Sequence, residues 1–532
     1  MPNYREKNNQ TKAISELLRK KIKSQVDLMV LKRRLARKYG LALLANSVIL
    51  DSYRKLVAKK TISRSPLLEK ILRKRAVRTL SGIAPVAVLT KAYPCPGECA
   101  YCPKEKDVPQ SYLSNEPAVM RAIRCQFDPY KQVQYRLEAL LANGHEPEKI
   151  ELIVIGGTWS VLPVKYKYWY IKECFRAANE YGKRIINKNK NSELKIQELK
   201  RQLLVEQKKN EKAKYKIIGL TLETRPDYIN ETELLQMREL GATRVELGVQ
   251  AVDDRILKLN KRGHGVKAVT QATELLKNYG FKVTYHIMPG LPGSTAKKDL
   301  AMFKKLFSDA RFQPDQIKFY PTVVTRGSLL YKWWRAGKYR PYADKVLQEL
   351  IVNCKKVVPQ YVRIIRLIRD IPQESILAGN MITNLRQIMK DRGVSCQCIR
   401  CREARERKLE IRDWKLEIIK YQASDGREYF IQATDQRGET LYGFCRLRLG
   451  SENIMKAALV RELHVYGELV PIGSKRIVQH AGLGKLLMRE AEKIARKNGY
   501  KKMAVIAGIG VRGYYQKLGY KLLDSYMVKN LV

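Results

Sequence analysis

The chain has 532 residues, with 103 Lys and Arg against 52 Asp and Glu and a formal charge of +51. This length exceeds one ordinary core, so two or three domains are expected, and an apolar fraction of 45% excludes a largely disordered chain. General solubility accounts for part of the cationic surplus, but a surplus this large attracts polyanions, with structured RNA or DNA first among partners. Ten cysteines are too few for a disulfide scaffold. Six of them fall in two short clusters, which points to metal binding in a reducing compartment. The start MPNYREKNNQTK has no apolar core of a signal peptide, and the apolar window 39–50 is too short to span a bilayer. A soluble cytoplasmic chain with no membrane partner is expected.

Residues 1–80 read as a basic helical segment. Ile14, Leu17, Leu18 and Ile22 recur at helical spacing, as do Leu28, Leu31 and Leu35, while Arg19, Lys20, Lys23, Arg33, Arg34 and Lys38 occupy the opposite face. Over residues 1–60 there are 16 Lys or Arg and 4 Asp or Glu, which suits either nucleic-acid contact or a solvated surface. Gly40 is expected to end one helix.

Residues 81–375 alternate strand and helix patterns. Candidate strands are 86–89, 150–155, 217–222, 244–249, 281–287, 316–320 and 361–368, with helical stretches between several of them. Repeated strand–helix units predict an α/β domain with a parallel sheet forming a full or partial barrel, and sites in such folds lie on loops after the C-terminal strand ends. The loop after the first strand is TKAYPCPGECAYCP, in which Cys95, Cys99 and Cys102 lie within eight residues. Thiolates this close suit zinc or an iron-sulfur cluster. Three sulfurs on three corners of a cubane would leave the fourth iron open to a small molecule; a zinc loop completed by a remote Cys or His is the alternative. The stretch 179–216 interrupts the alternation. Residues 183–216 hold 12 Lys or Arg and 4 Glu, which reads as a basic surface insertion, part helix and part mobile loop.

Residues 376–411 read as a linker whose SCQCIRCR supplies Cys396, Cys398 and Cys401, a spacing that favours structural zinc with no fourth ligand identifiable. Residues 412–532 read as antiparallel strands (428–433, 440–449 and 457–466), an amphipathic helix over 485–498 and further strands. The segment Gln479-His480-Ala481-Gly482-Leu483-Gly484 precedes that helix. Its glycines let backbone amides face a phosphate at the helix start, and Lys475, Arg476 and Lys485 add charge, so a pyrophosphate-bearing ligand is expected.

The triple-cysteine loop resembles the signature of radical S-adenosylmethionine enzymes, and the Gln-x-x-Gly-x-Gly segment resembles the acyl-coenzyme A loop of GNAT acetyltransferases. With SYLSNEPAVMRAIRCQFDPY, ETRPDYI, HIMPGLPGS, RELHVYGELVPIG and RGYYQKLGYKLLDSYMVKNL, the combination resembles the catalytic-subunit family of Elongator in its stand-alone form, from about residue 80 onward. The resemblance implies a radical SAM partial TIM-like barrel fused to a GNAT-type α+β domain. It further implies an acyltransferase-class enzyme that places a carboxymethyl-type group at carbon 5 of the tRNA wobble uridine, position 34. By the same resemblance Cys95, Cys99 and Cys102 hold a 4Fe-4S cluster whose open iron S-adenosylmethionine chelates. The radical from its reductive cleavage takes hydrogen from the methyl of acetyl-coenzyme A; the resulting carbon radical adds to the uridine ring, and loss of the thioester completes the group.

Gly156, Gly157 and Thr158, after the second strand, resemble the motif that receives the amino end of S-adenosylmethionine; a tight strand–helix turn is the plainer reading. Glu223 and Arg225 suit cofactor contact or a buried ion pair. Gln250 and His286 end hydrophobic strands on the catalytic face, and His286 could equally be a satisfied core histidine. Lys318 and Tyr320 share one strand face and could orient thioester or uridine, or simply pack. Arg363, Arg366 and Arg369 could in part track RNA phosphate. In the GNAT-like domain Gln479, Gly482, Leu483, Gly484, Lys475 and Lys485 are the cofactor-loop candidates, with Glu462 and His464 on one strand face. Of Tyr514 and Tyr515, one packs and the other orients the thioester or assists thiolate departure. A protein lysine acetyltransferase with a structural metal domain, or a non-catalytic RNA scaffold, are the competing readings. The open cluster position and pervasive positive charge disfavour the first, and the intact cysteine and glycine loops disfavour the second. Sequence leaves a homodimer open, does not name the electron donor, and gives no indication that other Elongator-like subunits are required.

Overall fold

A computed structural model describes residues 4–73, 83–182, 194–382, 385–404, 414–450, 453–466 and 482–531. Four helices come first: α1 (Tyr4–Leu18), α2 (Gln25–Tyr39), α3 (Asn46–Ala58) and α4 (Pro66–Leu72). Ser24 caps α2 by accepting from the Asp27 N–H, and Gly40 ends it at φ 62°. Ile14, Leu17, Leu28, Leu35, Ile49, Leu50 and Tyr53 bury against one another in a core of their own. The cations Arg19, Lys20, Lys23, Arg33, Arg34 and Lys38 all face solvent. Arg54 ties α3 to the next domain by donating to the Leu141 carbonyl at 2.6 Å.

Seven parallel strands follow: β1 (Ala84–Leu89), β2 (Lys149–Ile155), β3 (Lys216–Thr224), β4 (Arg244–Gln250), β5 (Lys282–Ile287), β6 (Gln316–Phe319) and β7 (Arg363–Arg366). Each pairs with its sequence neighbour, and β1 and β7 are the two free edges, so the curled sheet is an open barrel. Apolar residues fill their outward positions because helices cover that face. The basic stretch after the helix Val164–Glu180 departs from a purely surface excursion. Its described part forms the helix Ile196–Asn210, which buries Leu199 and Leu203. Asn210 closes the junction by donating to the Tyr215 carbonyl and accepting from the Ile217 N–H.

The last domain is a second seven-stranded sheet: β8 (Trp414–Ala423), β9 (Gly426–Asp435), β10 (Leu441–Leu449), β11 (Ala458–Val465), β12 (Lys502–Val505), β13 (Lys521–Leu523) and β14 (Tyr526–Asn530). The order is β13-β14-β12-β11-β10-β9-β8, antiparallel except for the β11–β12 pair. That parallel pairing covers only Ala458–Val460. Beyond it β11 leaves β12, and the helix Leu483–Lys497 packs across the sheet with Leu487, Met488, Ala491 and Ala495 buried. Among the described residues no helix is long and apolar enough to cross a membrane.

This sheet sits at the N-terminal ends of the barrel strands, and ion pairs hold it there. Arg461 donates to both Asp315 oxygens at 2.9 and 2.5 Å, to the Phe281 carbonyl at 2.7 Å and to Glu428 at 3.1 Å. Arg448 meets Asn278, Asp425 and Glu428, and Lys277 lies 3.7 Å from Asp315 and 3.6 Å from Glu428. Gly508 permits the closest approach: a Cβ there would collide with the Ile218 carbonyl of β3. Burial opposes the charge on Glu462, yet Lys282 and Arg446 outweigh it and hold its carboxyl at about 2. Asp315 is likewise held below the carboxylate range, by Arg461, Lys277 and Arg446 against its burial. Both folded values are depressed, so the stability they carry is fully present above the ordinary carboxylate range and is lost as pH falls through it toward the folded values. The urea midpoint is expected to drop as pH is lowered from about 5 to about 3; a constant midpoint over that interval would contradict this account.

Candidate functional site

Strand periodicity builds one polar lumen. Arg244, Glu246, Gly248 and Gln250 alternate along β4, and Lys282, Thr284 and His286 along β5, while Gln316, Lys318 and Tyr320 line β6 and its exit. Each set therefore shares a face. They open on a cavity of about 1170 Å³ that also takes in Cys95, Cys99, Cys102, Gly157, Thr158, Glu223, Arg225, Arg363, Glu462, His464 and Tyr466. The triple-cysteine loop and the exposed face of the second sheet thus border one continuous space.

At the C-terminal end of the barrel, the cysteine loop is tied down by its backbone. The Ala100 N–H donates to the Asn260 carbonyl at 3.0 Å, and the Ala100 carbonyl accepts from the Leu330 N–H at 2.7 Å. The Gly97 N–H points to the Cys95 Sγ at 3.4 Å. The Cys99 thiol is buried and pulled down to about 5, first by its hydrogen bond with Cys102 and then by the Arg262 charge. Zinc–sulfur bonds of about 2.3 Å put tetrahedral sulfurs roughly 3.8 Å apart. Among the described residues only Cys396, Cys398 and Cys401 have ligand atoms all within 4.8 Å. Cys95, Cys99 and Cys102 do not all meet that limit, although Cys99 and Cys102 touch; three soft thiol donors on one loop beside the open lumen suit an iron-sulfur cluster.

Around that loop, Gly157 and Thr158 line the cavity, with the Thr158 Oγ1 3.9 Å from the Cys95 Sγ. Gly156 instead lies against Thr90, where a Cβ would strike the threonine hydroxyl, so the tight-turn reading describes its own place. Arg225 makes the buried ion pair with Asp227, at 2.7 and 3.0 Å, and its Nη1 is left without a partner over Gly97. Glu223 accepts from the Tyr112 hydroxyl at 2.8 Å and lies 3.6 Å from the His286 Nδ1. Gln250 adopts φ 70°, and its Oε1 is unpartnered.

Glu246 is the centre of the lumen and was not among the sequence candidates. It is fully buried; its Oε2 takes both the His286 Nε2 at 3.0 Å and the Lys318 Nζ, and its Oε1 faces Arg244 at 4.0 Å. Burial works against the Lys318 charge, but Glu246 outweighs it and the lysine holds its proton more tightly than usual. The Tyr320 ring stands edge-on to His286 at 5.3 Å. The signal for Glu246 was present: in RVELGVQ it is the one acid, on the same strand face as Arg244 and Gln250.

Arg363 crosses to the second domain, donating to the Tyr466 hydroxyl at 2.9 Å and to Glu403 at 2.7 Å, while Arg366 pairs with Asp370 and Arg369 with Glu116. Glu462 pairs with Arg446 at 2.9 Å. Burial pushes the His464 imidazole down to about 4, and its Nε2 has no partner. Glu462 and His464 therefore face the barrel cavity, apart from the other acyl-loop candidates. Those sit where β11 and β12 diverge: Gly482 at φ 107° precedes a helix that has no side-chain cap among the described residues, and the amides of its first turn suit an anion. Leu483 is buried, and Gly484 lies under Tyr514, whose hydroxyl would stand 2.7 Å from a Cβ at that position. Lys485 is exposed. Tyr514 is 36% exposed, whereas Tyr515 is 6% exposed and packs on Tyr520, so Tyr515 is the packing member of the pair. Lys475 and Gln479 lie outside the described residues.

Cys396, Cys398 and Cys401 stand on the border of the two domains. Cys398 precedes the short helix Ile399–Arg402, whose Ile399 N–H donates to the Val362 carbonyl beside β7. Arg402 on the same helix reaches Gln360 and Gln432.

An open parallel barrel with three cysteines after its first strand, joined to a sheet split by a parallel pair over a helix start, defines a radical SAM–GNAT fusion. Residues 92–306 match the Radical SAM superfamily, 314–392 the Radical_SAM C-terminal domain and 390–520 the Acetyltransferase (GNAT) family. The tRNA uridine(34) acetyltransferase of Dehalococcoides mccartyi is 44% identical over 86% of this chain and 100% of that one. Elongator complex protein 3 of Bos taurus is 38% identical over 95% of this chain and 93% of its own length. The solved structure of archaeal Methanocaldococcus infernus Elp3, lacking residues 1–46, superposes with a TM-score of 0.70 at 39% identity, covering 84% of this chain and 99% of that one. The chain belongs to the tRNA uridine(34) acetyltransferase family, which includes the Elongator catalytic subunits.

Proposed function

We propose that this chain modifies the wobble uridine of tRNA, building a carboxymethyl-type group at carbon 5 from the acetyl group of acetyl-coenzyme A. The observation that carries this reading is the single cavity bordered by the cysteine loop on one side and Glu462, His464 and Tyr466 of the second domain on the other. Acyl chemistry and radical chemistry need to meet, and the cavity reaches from the cysteine loop to strand β11, the strand whose divergence from β12 leaves room for the acyl loop.

Cys95, Cys99 and Cys102 would hold a 4Fe-4S cluster, with Gly157, Thr158, Glu223, Arg225, Gln250 and His286 around S-adenosylmethionine. When bound, the cluster supplies the electron that splits the sulfonium and starts radical chemistry. The chain's own residues do the positioning. Arg225 offers its unpartnered Nη1 to a carboxylate. Lys318, kept charged by Glu246, donates into the lumen toward a uracil or thioester oxygen, and His286 and Tyr320 narrow the space beside it. At the other domain, the free amides from Leu483 onward receive pyrophosphate together with Lys485, and with Gln479 and Lys475 outside the described residues. Tyr514, the more exposed of the pair, would meet the thioester. Cys396, Cys398 and Cys401 would bind structural zinc, which clamps the domain border. The exposed cations of α1 and α2 supply sequence-independent attraction for tRNA phosphates.

Two outcomes test the assignment. Transfer RNA should stimulate acetyl-coenzyme A hydrolysis, because a filled lumen gates thioester access; equal hydrolysis without tRNA would count against coupling. Glu246→Gln removes the carboxylate that pairs with Lys318 and accepts from His286, while Arg244 keeps Glu151. Losing a buried partner at about 3 kcal/mol corresponds to roughly a 100-fold slower wobble-base modification. Iron content should be unchanged in that variant, and a wild-type rate would remove Glu246 from the account.

A further inference from the structure

Arg262 lies in the turn between the helices Asp254–Leu259 and Val266–Asn278 and is 6% exposed. Its Nη1 donates to the Cys99 Sγ at 3.3 Å, and its Nη2 donates to the Gly248 carbonyl of β4. The Cys99 and Cys102 thiols and the Tyr101 hydroxyl lie about it, and its Nε is unpartnered. A buried guanidinium without a carboxylate is costly unless another anion answers it. The turn that carries Arg262 is fixed to the cysteine loop, since the Asn260 carbonyl accepts from the Ala100 N–H, and Asn260 in turn donates to the Pro292 carbonyl. The neighbouring Arg225 is already neutralised by Asp227, whereas Arg262, buried against the Cys99 sulfur, makes no ion pair with a carboxylate among the described residues.

We propose that Arg262 is the built-in counter-charge of the cluster, and that its N–H bond to the Cys99 sulfur raises the cluster's one-electron reduction potential. This rests on the reading of Cys95, Cys99 and Cys102 as cluster ligands. A 4Fe-4S core of charge 2+ with three thiolates carries a net charge of about −1, and one electron from an external donor takes it to about −2. A fixed cation in a poorly polarisable interior stabilises the more negative state more strongly, so reduction becomes easier. Arg262 acts through Cys99 and is a positioning residue. A purely structural clamp on Gly248 would change stability or cluster loading, and would leave the potential of loaded protein where it was.

The experiment is an anaerobic redox titration of the full-length, iron- and sulfide-reconstituted protein, read by the electron paramagnetic resonance of the reduced cluster. Arg262→Gln, which keeps a donor and loses the charge, should titrate at a more negative midpoint than wild type, with Arg262→Lys between them. Equal midpoints at equal iron content would overturn the assignment. Failure of both variants to load would give Arg262 a holding role alone and overturn it as well. Wild-type protein that takes up no iron would remove the cluster reading itself, and the role of Arg262 with it.

Discussion

Cys99→Ala is expected to abolish 5′-deoxyadenosine formation from S-adenosylmethionine while leaving most tRNA binding in place. Cys99 is the buried member of its trio, its thiol the one pulled down to about 5 by Cys102 and Arg262, and alanine offers no ligand atom at all. Two remaining thiols cannot hold a cluster with one open corner. The cations expected to attract tRNA lie elsewhere, on α1 and α2, whose apolar core is separate from the barrel core. The two readouts should therefore part: cleavage falls to background while tRNA affinity changes little. Normal 5′-deoxyadenosine formation by the variant would reject the cysteine assignment, and joint loss of both readouts would signal misfolding.

The largest stability effect is expected at Arg461. It is fully buried and makes bonds to Asp315, Glu428 and the Phe281 carbonyl, so Arg461→Ala leaves two buried carboxylates short of their main partner. Removing one side of such a pair costs about 3–5 kcal/mol. Because Arg461 stands on β11 and its partners come from β9 and from the residues just before β5 and β6, the loss should fall on the contact between the domains. Urea unfolding that is a single transition in wild type should then separate into two, with the second-sheet domain melting first; an unchanged single transition would contradict this.

Much of the barrel was legible because its strands are covered on both sides. The seven predicted strands all recur, since short β-branched and aliphatic stretches, alternating with polar residues on the lumen side, stand out between helical patterns. The polar positions inside those runs were harder to rank. His286, Lys318 and Tyr320 lie at or near strand ends and attract notice, whereas Glu246 sits mid-strand and its importance depends on two other strands, β5 and β6, bringing His286 and Lys318 to it. The second domain was read only in part. Strand β8 alternates Lys415, Glu417 and Lys420 with apolar residues and is half exposed at the sheet edge, so it lacks the signature of its buried neighbours. The Asp315, Glu428, Arg446, Arg448 and Arg461 network was illegible for a different reason. Each residue alone reads as a surface charge, and its burial follows only from partners as much as 180 residues away. The helix Ile196–Asn210 misled in the same way, since its surplus of cations hides the Leu199, Leu203 and Asn210 face that packs.

The most direct test of the account is mass spectrometry of the wobble nucleoside after anaerobic incubation of the reconstituted protein with tRNA, S-adenosylmethionine, a one-electron reductant and acetyl-coenzyme A carrying carbon-13 in the acetyl group. The account predicts a uridine bearing a two-carbon carboxymethyl-type substituent in which both carbons are labelled. An unlabelled uridine, with the label recovered on protein lysines instead, would contradict it.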